Sequence, residues 1–407
     1  MFSLAVSICL AISATALLLH GLSAWTTYRH TRARPRPTVD LPPLTLLKPI
    51  KGLEEALELN LRSFFEQRYP APLHIVFAST EAHDAGIEVA RRVAGQYPDC
   101  RVSFVVSDAS FGRNPKVSNL AGALAAAAHD LVMQTDANVR IRPGYLQAAV
   151  EEFLAEGASL SGALVTGSGE HSIGAALDNI QLSTFLTPGI CLAYRRFGIT
   201  CVVGKAILFR KTELESLGGL ATVKDVLAED FVLGETYGQA GKRVLLSRLA
   251  VDNINVEASV QRFAARHSRW LKMRVVLHAV GFVADLLSNA SFFALLAAAL
   301  SGGELHWVLG YLGVATYKGA IDARLLAHLR GHPLALRHWL CLPLRDLILP
   351  ALWLHALFSR TTEWRGERFR LIHGSQIIPL PPDATALSAL HPSSGPSPAR
   401  PPAEHRG

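Results

Sequence analysis

The stretch VLAEDFVLGE (residues 226–235) sets Glu229 and Asp230 side by side ahead of an apolar, helix-like run. Acids at a helix N-terminus are favoured by the exposed amides, so a plain helix start explains one of them at little cost. A pair can do more. Asp230 has the chemistry of a general base that takes the proton of an attacking hydroxyl. Glu229 beside it would raise the local negative charge and tune that base. About one helix later comes RHSRW (266–270). Arg266 and Arg269 are three apart and share a helix face. Two guanidinium groups suit a diphosphate leaving group, and Trp270 would shape the pocket or pack on an acceptor. The competing reading is an interfacial Arg/Trp belt beside a membrane segment.

Four more places carry candidate chemistry. LVMQTDANVRI (131–141) is an apolar run ending in Asp136, with Asn138 two residues on. One or two such oxygens are enough to hold Mg²⁺ or Mn²⁺ against a diphosphate; otherwise Asp136 is a turn residue. GRNPKVSNL (112–120) opens a helix with Lys116 near its free amides, an anion site or an ordinary solvated lysine. FASTEAHD (77–84) offers Glu81 and Asp84 to ribose hydroxyls or a base edge, although Asp84 also suits a helix cap. VVGKAILFR (202–210) puts Gly204 and Lys205 at a strand mouth, as a wall of the sugar pocket or as a plain turn.

These residues need a scaffold. Between Leu44 and about Glu257, strand-length apolar runs (LTLLKP, LHIVFAS, RVSFVVS, DLVMQTD, SLSGALV, KAILFR, KRVLLS) alternate with amphipathic segments such as Leu53 to Gln67 and Gly86 to Gln96. That alternation predicts an α/β fold, a mostly parallel sheet covered on both faces. In such sheets ligands sit beyond the carboxyl ends of the strands, where most of the candidates lie.

Around this domain the chain is greasy. It has 407 residues, half of them hydrophobic, and a mean hydropathy of +0.25. Phe2 to Leu22 is uncharged and long enough to span a bilayer. Arg29, Arg32, Arg34 and Arg36 follow it, which by the positive-inside rule puts the rest of the chain on the cytoplasmic side. The net charge of +7 sits beside apolar stretches, so an anionic membrane surface is the expected partner, not nucleic acid. Five scattered cysteines without a CxxC pair indicate neither a disulfide framework nor a zinc site. The expected organisation is a transmembrane helix over 1–24, a basic Pro-rich linker over 25–43 and the sheet domain over 44–270. A transmembrane or re-entrant region over 271–358, a basic cytoplasmic segment over 359–378 and a disordered tail over 379–407 complete it. Within the fourth region, Val275 to Leu300 and Leu305 to Tyr317 read as a helical hairpin. His338 to Phe358 holds Pro343, Arg345, Asp346 and Pro350, which favours a re-entrant or interfacial element at least as much as a clean span.

The order of the parts is more specific than any one of them. LLKPIKG, NPKVSNL, TDANVRI, GKAILFRKTELESLGGL, LAEDF, RHSRW and WRGERFRL together resemble the membrane-bound ceramide glucosyltransferases, inverting enzymes of the GT-A class, over roughly Leu46 to Leu371. The resemblance implies a GT-A Rossmann-like domain, a UDP-sugar donor and a divalent metal (Mg²⁺ or Mn²⁺). It makes Asp136 the metal-associated acid, Asp230 the base, and Arg266, Arg269 and Trp270 the RxxRW motif. Glu81 or Asp84 takes the position of the first family acid. The D-A-N at Asp136 departs from D-x-D. The expected reaction moves glucose from UDP-glucose to the primary hydroxyl of ceramide. A hopanoid, sterol or diacylglycerol acceptor, or UDP-N-acetylglucosamine as donor, is the enzymatic alternative; a non-catalytic scaffold or lipid transporter is the alternative of another class.

Overall fold

A computed structural model describes residues 4–32, 40–364 and 367–381. Arg34, Pro35, Arg36 and Pro37 of the expected linker, Arg365, and the expected tail from residue 382 lie outside the described residues. In chain order the elements are α1 (Leu4–His30), β1 (Leu44–Pro49), α2 (Leu57–Phe65), β2 (Leu73–Ser79), α3 (Ala85–Ala94), β3 (Arg101–Val106), α4 (Pro115–Ala125), β4 (Leu131–Thr135), β5 (Val139–Arg140), α5 (Tyr145–Ala155), β6 (Leu160–Ser168), α6 (Ile173–Gln181), α7 (Thr187–Phe197), β7 (Ala206–Arg210), α8 (Lys211–Ser216), α9 (Glu229–Gln239), β8 (Val244–Ile254), α10 (Val260–Leu277), α11 (Ala279–Leu287), α12 (Ala290–Leu300), α13 (Leu305–Arg330), α14 (Cys341–Phe358), β9 (Thr361–Trp364), β10 (Glu367–Leu371) and β11 (Ile377–Pro379).

The α/β expectation holds. An 8-stranded sheet runs in the order β3-β2-β1-β4-β7-β6-β8-β5. β1 with β2, β2 with β3, β1 with β4 and β6 with β8 pair in parallel, while β7 is antiparallel to both of its neighbours and β5 to β8. Strand side chains alternate faces, and each face buries its own core. Leu44, Leu46 and Ile75 pack with Leu61, Phe64 and Val150 on one side. Leu47, Val76 and Ile207 pack with Val117, Leu120 and Tyr237 on the other. Lys48 shares the first face, and its ammonium lies 3.4 Å from the centroid of the Phe64 ring.

Several boundaries differ from expectation. The first helix runs on to His30 where the linker was expected from residue 25, because His30 Nε2 lies 3.2 Å from the Ser247 carbonyl and holds the last turn to the sheet domain. The helix expected over Leu53 to Gln67 starts only at Leu57, since Gly52 and Ala56 both turn with positive φ (66° and 52°). The expected break at 270 falls inside α10, one uninterrupted helix from Val260 to Leu277.

The apolar regions form helices. Leu4–His30 and Leu336–Phe358 are long and apolar enough to cross a membrane. α11 and α12 form a pair bent by 58° that would count as a third span, and α13 packs against α12. His338 to Phe358 falls within the second of these segments, most of it in the single helix α14. Pro343 falls in the first turn of α14, where its missing N–H costs little, and the helix continues through Pro350. Arg345 and Asp346 are buried and paired, so they do not force the segment out of an apolar layer. In and just beyond the basic segment 359–378, β9, β10 and β11 form a 3-stranded antiparallel sheet. Phe369, Leu371 and Ile377 of that sheet pack on Leu227.

Candidate active site

Strand register brings the first pair of site residues together. β4 and β7 are antiparallel with Thr135 opposite Ala206, so the next residues outward, Asp136 and Lys205, face one another. The Asp136 N–H donates to the Lys205 carbonyl at 3.3 Å. Lys205 Nζ reaches Asp136 Oδ2 at 2.8 Å and Asn138 Oδ1 at 3.0 Å. From the other side Lys116 Nζ meets Asp136 Oδ1 at 2.9 Å.

Lys116 is placed by a capped helix start. Asn114 is the N-cap of α4, its Oδ1 accepting from the Lys116 and Val117 amides, and Pro115 supplies a preset first turn. The same ammonium reaches Glu229 Oε1 at 2.8 Å and donates to the Gly204 carbonyl at 3.2 Å. Lys116 thus links the carboxylate at the end of β4 to the acidic pair that opens α9. Asp230 accepts from the Phe231 N–H at 2.8 Å and from the Gly204 N–H. The peptide between Val203 and Lys205 threads between Lys116 and Asp230. A Cβ at Gly204 would stand 2.8 Å from Lys116 Nζ and 2.9 Å from Asp230 Oδ2, so a side chain there would have to push both charged groups from their places.

The electrostatics follow from burial among like and unlike charges. Burial would raise the Asp136 carboxyl, but Lys116 and Lys205 outweigh it and hold Asp136 well below the usual carboxylate range. Burial pulls the Lys116 ammonium down, yet Asp136, Glu229 and Asp230 raise it beyond its ordinary value. Glu229 goes the opposite way from Asp136: burial pushes it up, and Asp230 adds to that against the opposition of Lys116. Burial lowers Lys205 against the pull of Asp136, with Arg266 adding to the lowering.

α10 supplies the second group. Its face carries Arg266, Arg269 and Trp270, with the Arg266 guanidinium 4.8 Å from the Trp270 ring centroid. Arg266 Nη1 is held at 2.6 Å by Asp178 Oδ2, and His267 Nε2 lies 2.7 Å from Asp178 Oδ1. Asp178 is buried on α6, and its pKa of about 2 results from Arg266 and His267 overcoming burial. Arg269 Nη1 donates to the Glu363 carbonyl of β9 at 3.4 Å.

One cavity of about 1700 Å³ is lined by Lys116, Asp136, Gly204, Asp230, Arg266 and Trp270, and Lys205, Glu229 and Arg269 line it too. It continues to Ile12, Thr15 and Leu19 of α1, Leu186 and Ile190 at the start of α7, and Leu349 of α14. Glu81 and Asp84 are not among its lining residues. Glu81 is exposed. Asp84 is buried and caps α3 through the Gly86 N–H at 2.7 Å; it also accepts from the Gly52 N–H at 2.8 Å and the Ser79 hydroxyl at 3.1 Å. In this structure Asp84 is a cap that also pins the loop after β1.

Among the described residues no group of three or more His, Cys, Asp or Glu has the arrangement of a metal cage. A divalent ion bound to a diphosphate needs only one or two protein oxygens. Asp136 and Asn138 fit as that pair, on the condition that the ammonium of Lys205 gives way.

Several parts of the site were not singled out from sequence. Lys205 carries no charge partner in its own stretch of sequence, and its partner on β4 depends on strand register. Asp178 is one acid in an apolar helix and carries no motif. The small C-terminal sheet braces the acidic loop: the Leu227 N–H donates to the Ser375 carbonyl at 2.9 Å, and the Ala228 N–H to the Ser375 hydroxyl at 3.2 Å. The chain is also neutralised deep among its helices. Lys318 bridges Asp322 and Asp346, each at 2.9 Å, Arg345 reaches both acids, and His20 of α1 meets Asp322 at 2.8 Å.

The chain is similar to Ceramide glucosyltransferase 1 of Caenorhabditis elegans, 25% identical over 92% of this chain and 81% of that protein. It is similar to Ceramide glucosyltransferase 3 of the same organism, 27% identical over 83% of this chain and 75% of that one. Among solved structures it is similar to the mannosyltransferase PcManGT of Pyrobaculum calidifontis, in complex with GDP-Man and Mn²⁺, with 17% identity and a TM-score of 0.49 over 87% of this chain and 99% of that one. The pattern of Glycosyl transferase family 21 matches residues 5–377, a span that takes in the first apolar helix, the sheet, the acidic pair, the RxxRW helix and the small C-terminal sheet, and the chain therefore belongs to that family.

Proposed function

We propose that this chain transfers glucose from UDP-glucose to the primary hydroxyl of ceramide, with inversion at the anomeric carbon. The observation that carries this reading is the single cavity joining a charged group (Lys116, Asp136, Asp230, Arg266) to an apolar zone between α1, α7 and α14. A nucleotide sugar suits the first part and a long-chain lipid the second. The relatives named as ceramide glucosyltransferases support the same pairing of substrates.

The residues divide the work by charge. Asp230 is the general base; backbone amides hold both of its oxygens, so the carboxylate is aimed without a flexible partner. Lys116, Arg266 and Arg269 face the donor diphosphate, where cations placed in advance stabilise developing negative charge. A divalent metal, when bound at Asp136 and Asn138, supplies further neutralisation of that diphosphate. Trp270 stacks with Arg266 and borders the passage toward the apolar zone. One displacement inverts the sugar, so no nucleophilic side chain is needed. α1 anchors the protein in the membrane, and the sheet domain lies on the cytoplasmic face.

The test is direct. Detergent-solubilised protein with UDP-glucose and ceramide should release UDP and form glucosylceramide with the β linkage. The same assay with a hopanoid, a sterol or diacylglycerol, and with UDP-N-acetylglucosamine, ranks the alternatives. No UDP release with any acceptor would reject the reading.

A further inference from the structure

One of the two cations resting on Asp136 is a lysine fixed by strand pairing. Lys205 Nζ is 2.8 Å from Asp136 Oδ2 and 3.0 Å from Asn138 Oδ1. Those are the two protein oxygens that fit a divalent ion. The second oxygen of Asp136 is already met by Lys116. A metal must therefore displace one ammonium from both of its candidate ligands. The Lys205 side chain is only 12% exposed, so a displaced ammonium has little access to water. It lines the same cavity as Arg266 and Arg269, where a diphosphate would bring the strongest acceptors. A lysine ammonium is compact, and its four-carbon stem allows the head group to swing between neighbouring oxygens while the backbone stays in the ladder. Burial of a charge is tolerated when a partner is present in every state, and Asp136 and the diphosphate are two alternating partners.

We propose that Lys205 is a built-in cation of the diphosphate subsite: it competes with divalent metal for Asp136 and Asn138, and it supplies its ammonium to the diphosphate of the nucleotide sugar, so that donor binding persists when metal is withheld. This rests on the reading of the site as a nucleotide-sugar transferase. It concerns donor binding, while the metal's part in turnover is a separate quantity. Lys205 becomes a donor-binding residue in its own right.

Titration calorimetry of the full chain in detergent with UDP-glucose, in EDTA and in Mn²⁺, reads the proposal without any turnover. The wild type should bind in EDTA within about tenfold of its affinity in Mn²⁺. Lys205→Met and Lys205→Gln should each lose about tenfold or more in EDTA, the size expected for one charge-assisted hydrogen bond. Lys205→Arg should recover much of that loss. Mn²⁺ alone, followed by electron paramagnetic resonance, should bind both neutral variants more tightly than the wild type, because the ammonium that occupies both Asp136 and Asn138 is gone. Binding of UDP-glucose in EDTA that is equal in the wild type and both neutral variants overturns the proposal. So does a wild type that binds UDP-glucose only in Mn²⁺. A wild type that binds UDP-glucose in neither condition overturns the donor reading itself, and the proposal with it.

Discussion

Asp230 is held by two backbone amides, one from its own helix and one from Gly204. Asp230→Asn keeps the size and most of these contacts but cannot take up a proton. Turnover should fall by about a hundredfold to ten-thousandfold, with UDP-glucose affinity little changed in calorimetry. Glu229→Gln should be milder, since Glu229 faces Lys116 and Asn114. Full activity in Asp230→Asn with a dead Glu229→Gln would move the base one residue earlier. Asp178 offers a pH test at the same scale. Its folded pKa of about 2 lies below the ordinary 3.8, so its stabilisation is present above about 4 and is lost as pH falls toward 2. Asp178→Asn should therefore cost about 2 kcal/mol at pH 7. The deficit, followed as the unfolding midpoint, should shrink between about pH 4 and pH 2. A constant deficit across that range would show that Asp178 acts through packing alone.

The small sheet after α14 is an element whose work lies elsewhere in the chain. Ser375, in the turn between β10 and β11, holds the backbone just before the acidic pair, and Phe369 is buried against Leu227. Phe369→Ala removes a fully buried ring, a loss of about 3 kcal/mol or more. Turnover should fall with it while the large sheet keeps its unfolding midpoint; unchanged kcat would make the small sheet a bystander. The buried charges of α13 and α14 give a second test. Lys318→Met alone leaves the two buried acids, Asp322 and Asp346, sharing the single guanidinium of Arg345, and should lower recovery of monodisperse protein, because breaking one side of a buried pair costs about 3–5 kcal/mol. Lys318→Met with Asp346→Leu removes one charge of each sign, leaving Arg345 with Asp322. Size-exclusion chromatography should show the double variant recovered better than the single one.

At the scale of the whole molecule the arrangement is a sheet domain whose cavity opens among helices long enough for a bilayer. The N-terminal helix contributes directly: Ile12, Thr15 and Leu19 line the cavity, and His20 meets Asp322 of α13. The proposed orientation puts residues 40 to 270 inside the cell. Protease added to intact cells should leave that domain whole, and cleavage there would reverse the orientation.

What the sequence by itself determined is what short-range patterning can encode. Strand-length apolar runs separated by amphipathic segments were enough for an α/β sheet, and the seven runs read as strands from LTLLKP to KRVLLS correspond to β1, β2, β3, β4, β6, β7 and β8. The order of motifs was enough for the family. Tertiary structure alone decided which residues meet. Lys205 faces Asp136 because β7 pairs with β4 antiparallel in one register, and a one-residue slip would turn it to the other face. Asp178 reaches Arg266 across 88 positions of chain, and Ser375 reaches Ala228 across 147. The charges of α14 weigh, in the sequence, against a clean span, because their partners on α13 and α12 are distant in the chain. Such contacts depend on long-range packing, and no local pattern records them.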